Sequence, residues 1–208
     1  MTKTITGSVD QMLQQIYDHG NINRAVLASA RHAVSLESPQ AQAVWPIIMA
    51  GIETPAMVSE TFVPKLSITG EPTYAEIATF AAIRLYAIHQ QGIDICVYGG
   101  AYGDEAVGKL FFKALAQLRL NENIQVALDR RVKALLATTN VTSVINSLTH
   151  LVSILKASQQ NQQIDYARLA GDLFHFQFSY ESANQVRLTW GRQYYSNVES
   201  SQTKGEKN

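Results

Sequence analysis

The sequence predicts an all-α fold, a multi-helix bundle of about eight to ten helices in two packed lobes. Apolar residues between positions 141 and 155 recur at spacings of three and four, which places them on one helical stripe. Signals for helix starts recur along the chain. Residues 93–98 form a short apolar run that could be a strand, but we find no set of further strands to build a sheet.

The first two helices are predicted on either side of the Gly-Asn pair at residues 20–21. Glycine and asparagine favour turns, so the pair separates a helix over roughly residues 10–19 from one over residues 22–36.

Two prolines give the next boundaries. Ser38 followed by Pro39 is a start signal, because proline in the first helical position lacks only an amide that would be unpaired there. Pro46 is expected to end or kink that helix one residue after Trp45, because its ring and missing amide disfavour a helix interior.

Cap signals predict the starts of two further helices. Thr73 and Glu76 have the spacing of a capping box, and the helix they open is expected to stop at Gly92. Asp165 can cap a second helix with its carboxylate. This helix pairs with the one over residues 141–155 as a hairpin across the polar loop at 159–163.

Domain organisation follows from the run at residues 93–98 and the three glycines soon after it. We interpret this region as a linker between an N-terminal helical lobe, residues 1–98, and a C-terminal helical lobe, residues 99–198. The polar end, residues 199–208, is expected to be a disordered tail.

Composition describes an ordinary globular protein, with 46% hydrophobic and 16% charged residues over 208 residues. Cys96 is the only cysteine, which excludes an internal disulfide and a cysteine-based metal cluster and fits a reducing cytoplasm. Neither a secretory signal nor a membrane span is evident, so we expect a cytoplasmic protein without a membrane partner.

The net charge is zero, but charge is segregated along the chain. Residues 37–105 carry eight acidic residues against two basic ones, and residues 109–133 carry six basic residues against two acidic ones. A neutral molecule can therefore present a positive surface to a polyanion. Solvated helix faces are an equally good interpretation of each segment taken alone.

One segment resembles a phosphate-binding P-loop, because Gly103, Gly108 and Lys109 have its spacing. Leu110 stands where that motif needs a hydroxyl to hold magnesium, and the loop carries two acidic residues that would repel a triphosphate. We therefore expect a loop leading into a helix on which Lys109 and Lys113 share a face.

No constellation indicates catalysis. The five histidines do not occur in the paired spacing of metal ligands, and no serine or carboxylate pair has a recognisable catalytic context. We expect a protein that is not an enzyme and that uses no metal or other cofactor.

Basic residues carry the strongest functional signal. Arg24 and Arg31 are two helical turns apart, so both guanidinium groups can reach one strand of phosphates. Arg130 and Lys133 are expected to project opposite the buried stripe of their helix. Arg131 lies near the edge of that stripe, where binding a phosphate and anchoring a carboxylate are equally plausible roles.

Strings of residues resemble the CasB family, the small subunit of type I-E CRISPR Cascade complexes. In the first half these are RAVLASAR at 24–31, Trp45-Pro46 and LYAIHQ at 85–90. In the second half they are Gly108-Lys109, RRVKALL at 130–136, DYARLAGDL at 165–173 and VRLTWGRQYY at 186–195. The resemblance runs from about Arg24 to Tyr195 in the same order. Phe176, where the family pattern has tryptophan, and the neutral charge depart from it.

The resemblance implies a non-catalytic, all-helical subunit of an antiviral surveillance complex. It implies two copies in the assembly, in contact with the backbone and large subunits and near the guide RNA and target DNA. The implied role is to stabilise the R-loop, including the displaced strand, through contacts that ignore sequence.

Our hypothesis is that a groove for nucleic-acid backbone is lined by basic residues from both halves of the chain: Arg24, Arg31, Lys109, Lys113, Arg130 and Lys133, with Arg119 and Arg131 as weaker candidates. The alternative is a purely structural helical scaffold that makes only protein-protein contacts.

Overall fold

The computed structural model describes residues 4–52, 70–104 and 106–196, and within them the chain is all-α, as predicted. Nine α-helices are present in these residues: α1 Ile5–Tyr17, α2 Arg24–His32, α3 Trp45–Gly51, α4 Tyr74–Gln90, α5 Phe111–Leu118, α6 Glu122–Ala137, α7 Val141–Ser158, α8 Tyr166–Phe176 and α9 Tyr180–Tyr195. The tail predicted at 199–208 and Glu105 of the P-loop-like segment lie outside the described residues.

The first two helices differ from their predicted bounds. α1 begins five residues earlier than predicted, because the Thr4 side chain accepts a hydrogen bond from the Gly7 amide and caps the first turn. The helix ends at Tyr17, and its C-cap residue, Asp18, has a left-handed backbone. α2 ends at His32, before the predicted end at residue 36, and its Asn23 cap accepts from the Val26 amide.

The prediction at Pro46 was wrong, whereas the start predicted at Ser38 and Pro39 is present but opens only a short helix. Pro39 lies in a short 3₁₀ turn, Pro39–Ala41, and Pro46 lies in the first turn of α3. Proline is tolerated there because an N-terminal amide has no acceptor within the helix. Pro46 therefore starts a helix where the sequence had indicated an end or a kink.

α4 is the central element of the fold. Its predicted capping box is present: the Thr73 amide donates to Glu76 at 2.6 Å, and the Glu76 amide donates to the Thr73 hydroxyl at 3.2 Å. The helix packs against α1, α2, α7 and α8 and is buried nearly all round. Its last residue, Gln90, directs its side chain into the turn that follows.

The segment after α4 is fixed by backbone hydrogen bonds rather than by a sheet. Two isolated parallel bridges join Tyr98 and Lys109 to Ile164. The Gly108 amide donates to the Gly100 carbonyl at 2.9 Å, which closes a loop between them. A Cβ atom on Gly108 would lie 1.8 Å from the Gly99 carbonyl oxygen, so the close approach requires glycine.

The C-terminal helices have the predicted caps and stripes, but α7 and α8 do not pack against each other as the predicted hairpin: α8 packs on α1, α4 and α9, and α7 packs on α4, α5 and α6. Asp165 caps α8 by accepting from the Arg168 amide at 2.8 Å, and α7 buries the predicted stripe. α8 packs against α1 and α4 as well as α9, so the hydrophobic core is continuous between residues of the two predicted lobes. Among the described helices, none has the length and apolar character needed to cross a membrane.

Candidate nucleic-acid interface

Arg24 and Arg31 face one pocket. Arg24 is exposed in the first turn of α2, and Arg31 is half-buried in its last turn. Both line a cavity of about 200 Å³ between α2 and the turn after α4. Within the described residues, neither guanidinium group has a hydrogen-bond or carboxylate partner. Both charges are therefore available to an external anion.

Lys156 adds a cation that the sequence analysis missed. It lies in the last turn of α7, and its ammonium group donates to the Ile88 carbonyl at 3.0 Å and to the Gln91 carbonyl. Burial lowers the pKa of Lys156, and the nearby charge of Arg31 lowers it further. Lys156 thus holds the end of α4 against α7 and adds positive potential beside Arg31. Because Lys156 is distant from Arg31 in sequence, only the packing of α4 between α2 and α7 reveals this proximity.

Three basic residues are exposed on α6. Leu128, Val132 and Leu135 are the buried residues of this helix. Arg130, Arg131 and Lys133 are all exposed, and none has a hydrogen-bond or ion-pair partner in the part of the chain that the structure describes. Arg131 anchors no carboxylate between the described helices.

The α6 cations are followed in the sequence by a stretch without acidic residues. From Arg130 to Ile164 the sequence contains no aspartate or glutamate. α7 lies within this stretch and packs against both α6 and α4. None of its exposed residues is acidic: they are Thr142, Ser143, Asn146, His150, Ser153, Ala157 and Ser158. α7 therefore adds no exposed carboxylate of its own beside α6 or α4.

Lys109 and Lys113 differ in their surroundings. Lys113 is exposed on α5, whereas Lys109 is half-buried just before that helix. The Lys109 ammonium donates to the Gln117 side chain at 2.7 Å, and its backbone bonds to residues 163 and 165. A P-loop requires a neighbouring strand in a parallel sheet, and the described residues form no sheet.

Arg119 is engaged by a carboxylate. Its guanidinium donates to Asp129 at 2.7 and 3.2 Å and lies near the rings of Tyr194 and Tyr195. The hydrogen bond from Arg119 lowers the pKa of Asp129, and the Tyr194 hydroxyl donates to the same carboxylate. These contacts join α6 to α9, and any phosphate would have to compete with them for Arg119.

The described residues contain no group of three potential metal-ligating side chains. His89 is buried, with its ring nitrogens bonded to the Tyr166 hydroxyl at 2.9 Å and the Gln160 carbonyl at 3.0 Å. Both nitrogens therefore have protein partners, which gives this histidine a structural role.

Comparisons with known proteins agree with the resemblance noted in the sequence. The family model described as CRISPR-associated protein Cse2 matches residues 26–195. A solved structure, "Crystal structure of CasB from Thermobifida fusca", superposes with a TM-score of 0.65 at 23% identity, covering 94% of this chain and all of that one. At that identity the match shows a shared fold. No curated protein matches the sequence. The family match spans most of the chain, and the chain therefore belongs to the Cse2 (CasB) family of CRISPR-associated proteins.

Proposed function

We propose that this chain is the non-catalytic small subunit of a type I-E Cascade complex and stabilises the R-loop between guide RNA and target DNA. Membership of the Cse2 family implies a subunit of the CRISPR Cascade complex. The proposed contribution is to hold nucleic-acid backbone by charge, because base pairing already reads the sequence. Such a subunit needs only contacts that are blind to sequence.

The observation that carries this proposal is a set of exposed or half-buried cations without carboxylate partners among the described residues. Arg130, Arg131 and Lys133 project from α6, and Arg24 and Arg31 share one pocket. On a chain with no net charge, unpaired cations beside an acid-free segment produce a local positive field. We propose that these residues, with Lys113 and Lys109, line the groove, and that Arg119 contributes only when phosphate displaces Asp129.

The partners follow from the same proposal. In the assembled complex the chain would meet guide RNA, target DNA, the backbone and large subunits, and a second copy of itself, in the cytoplasm. R-loop formation is nearly balanced in free energy, because the heteroduplex replaces a duplex of similar stability. A few contacts to the nucleic-acid backbone are therefore enough to shift the equilibrium toward the open R-loop.

A double variant tests the α6 contacts. Replacing Arg130 and Lys133 by alanine should weaken binding of the full-length chain to single-stranded DNA and reduce the salt slope by about 1.4, since each phosphate contact contributes about 0.7. The measurement is fluorescence anisotropy over a series of salt concentrations. In reconstituted Cascade, the same variant should shorten the lifetime of the opened target.

The matched control is the Arg168→Ala, Arg192→Ala double variant, which removes the same charge from exposed positions on α8 and α9. It should retain the wild-type salt slope. Equal losses in both variants would show a general effect of net charge and contradict a site on α6. An unchanged slope in the α6 variant would remove Arg130 and Lys133 from the proposed groove.

A purely structural scaffold is the second candidate function, and one feature favours it. Several arginines make internal contacts: Arg119 with Asp129, Arg84 with Thr149, and Arg187 with the Leu136 carbonyl. Arginines used in this way hold helices together. Filter binding of the isolated chain to single- and double-stranded DNA at low and high salt separates the two candidate functions. A purely structural scaffold would retain neither kind of DNA on the filter.

A further inference from the structure

The pocket beside α2 has features beyond positive charge. It lies between α2 and residues 90–94, and its volume is about 200 Å³. Arg24 and Arg31 are seven residues apart on one helix, which places their Cα atoms roughly 10 Å apart along its axis. Two cations at this separation can contact successive backbone groups on either side of one nucleotide.

Apolar side chains also line the pocket. Leu27 and Ile93 are buried, and Ile22 is half-buried. Gly92 lies beside them with a φ of 74°, and a Cβ atom built there would meet no atom within 4 Å, so this side of the pocket is open. A phosphate gains nothing from apolar neighbours, whereas the face of a nucleobase can cover the apolar area that Ile22 leaves exposed, above a floor formed by Leu27 and Ile93.

The turn that forms one wall is held in place before any ligand arrives. The Gln90 amide group donates to the Ile93 and Ile95 carbonyls, both at 2.7 Å, and its oxygen accepts from the Val97 amide at 3.0 Å. Lys156 bonds to the Gln91 carbonyl from α7. A wall fixed in this way loses little conformational entropy when a ligand enters.

One carboxylate lines the pocket together with the arginines. Asp94 is exposed and has no hydrogen-bond or ion-pair partner within residues 4–52, 70–104 and 106–196. A carboxylate repels phosphate but accepts hydrogen bonds from the exocyclic amino group of a base such as cytosine. The lining thus combines cations for backbone, an apolar surface for a ring, and an acceptor for an amino group.

We infer that this pocket binds one unstacked nucleotide of single-stranded nucleic acid, with Arg24 and Arg31 on its flanking phosphates and its base against Ile22, Leu27 and Ile93. This inference rests on the proposed function, since the opened target supplies an unpaired strand. A base within a duplex is stacked and paired, so it cannot enter. Because Asp94 can accept a hydrogen bond, a base with an exocyclic amino group should bind more tightly than thymine.

The first test uses the unmodified full-length chain. Anisotropy is measured with a cytosine oligodeoxynucleotide and with an abasic strand of the same length and charge. We expect binding of the cytosine strand to be about fivefold to tenfold tighter, at the lower end of the range for one bound base. Equal affinity would overturn the base pocket and leave the proposed function standing. Failure to bind either strand would contradict the proposed function itself.

Two variants and one control variant locate the effect. Ile22→Trp fills the pocket and should bring the cytosine and abasic affinities within about twofold of each other, whereas Val34→Trp, at an exposed position outside the pocket, should retain the wild-type ratio. Thermal melting checks that both variants fold. Asp94→Ala, at an exposed position, should reduce the preference for cytosine over thymine strands. The inference would be overturned if Ile22→Trp kept the wild-type ratio of cytosine to abasic affinity and Asp94→Ala kept the wild-type preference for cytosine over thymine.

Discussion

His89 is a titratable side chain buried where α4 meets α8. Its Nε2 atom lies 3.0 Å from the Gln160 carbonyl, so this nitrogen donates, and Nδ1 accepts from the Tyr166 hydroxyl at 2.9 Å. The contact at Nδ1 requires the neutral ring, because a protonated Nδ1 could no longer accept. Burial lowers the pKa of His89 from 6.5 to about 4, the Gln160 hydrogen bond raises it in part, and the charge of Lys156 lowers it again.

The pH dependence of stability should therefore depend on His89. The unfolded chain takes up this proton near pH 6.5 and the folded chain near pH 4. Its contribution to stability is complete above pH 6.5 and is lost as the pH falls toward 4, by at most about 1.4 kcal/mol per pH unit. Urea unfolding across this range should show a flatter pH profile for His89→Gln than for the wild type. His150→Gln, at an exposed position, is the control, and a profile flattened equally by both would refute the assignment.

At the scale of elements, Asp165 connects a helix to a distant loop. Its carboxylate accepts from the Arg168 amide at 2.8 Å, which caps α8, and from the Ala101 amide at 2.9 Å. Its backbone amide donates to the Lys109 carbonyl at 2.9 Å. One buried side chain thus starts α8 and anchors the loop after α4.

Removing this side chain should cost more than removing an ordinary cap. We expect Asp165→Ala to lower the free energy of unfolding by about 2 kcal/mol or more, because two amides lose their acceptor. Thr73→Ala, which removes the cap of α4 without a second long-range contact, should cost about 1 kcal/mol. Both values come from denaturant titrations. Equal losses would mean that the Ala101 contact adds nothing.

Local signals explain which elements were predictable. The caps at Thr73 and Asp165 were predicted correctly because a cap is formed by residues close together in sequence. Pro46 was misinterpreted because proline is found both in the first turn of a helix and just after its end. The direction of the chain at residue 46 depends on packing, and α3 packs against α1 and α4.

For the whole molecule, the main feature is a core shared by the two predicted lobes. α8 buries its apolar face against α1 and α4, and the buried residues form one cluster. The division at residues 98 and 99 stays a prediction. Because each lobe supplies part of the surface that covers the other, we expect the two to unfold together.

A single cooperative transition is the expected result. In a Trp45→Phe variant, the fluorescence of the buried Trp190 reports on the C-terminal half, and far-UV circular dichroism reports on all helices. The two probes should give the same urea midpoint. Separate midpoints would show that the lobes are only weakly coupled.

The sequence by itself determined the helical class, most helix positions and the family, because periodicity, caps and ordered motifs are encoded locally. It also predicted that Arg130 and Lys133 project from their helix, since one helical stripe fixes the opposite face. Only the tertiary structure places Lys156 beside Arg31. It also pairs Asp129 with Arg119. The pocket formed by Arg24 and Arg31 with residues 90–94 has the same origin. These proximities depend on how the helices pack. Packing brings together residues that are far apart in sequence, and no local sequence pattern indicates that they will meet.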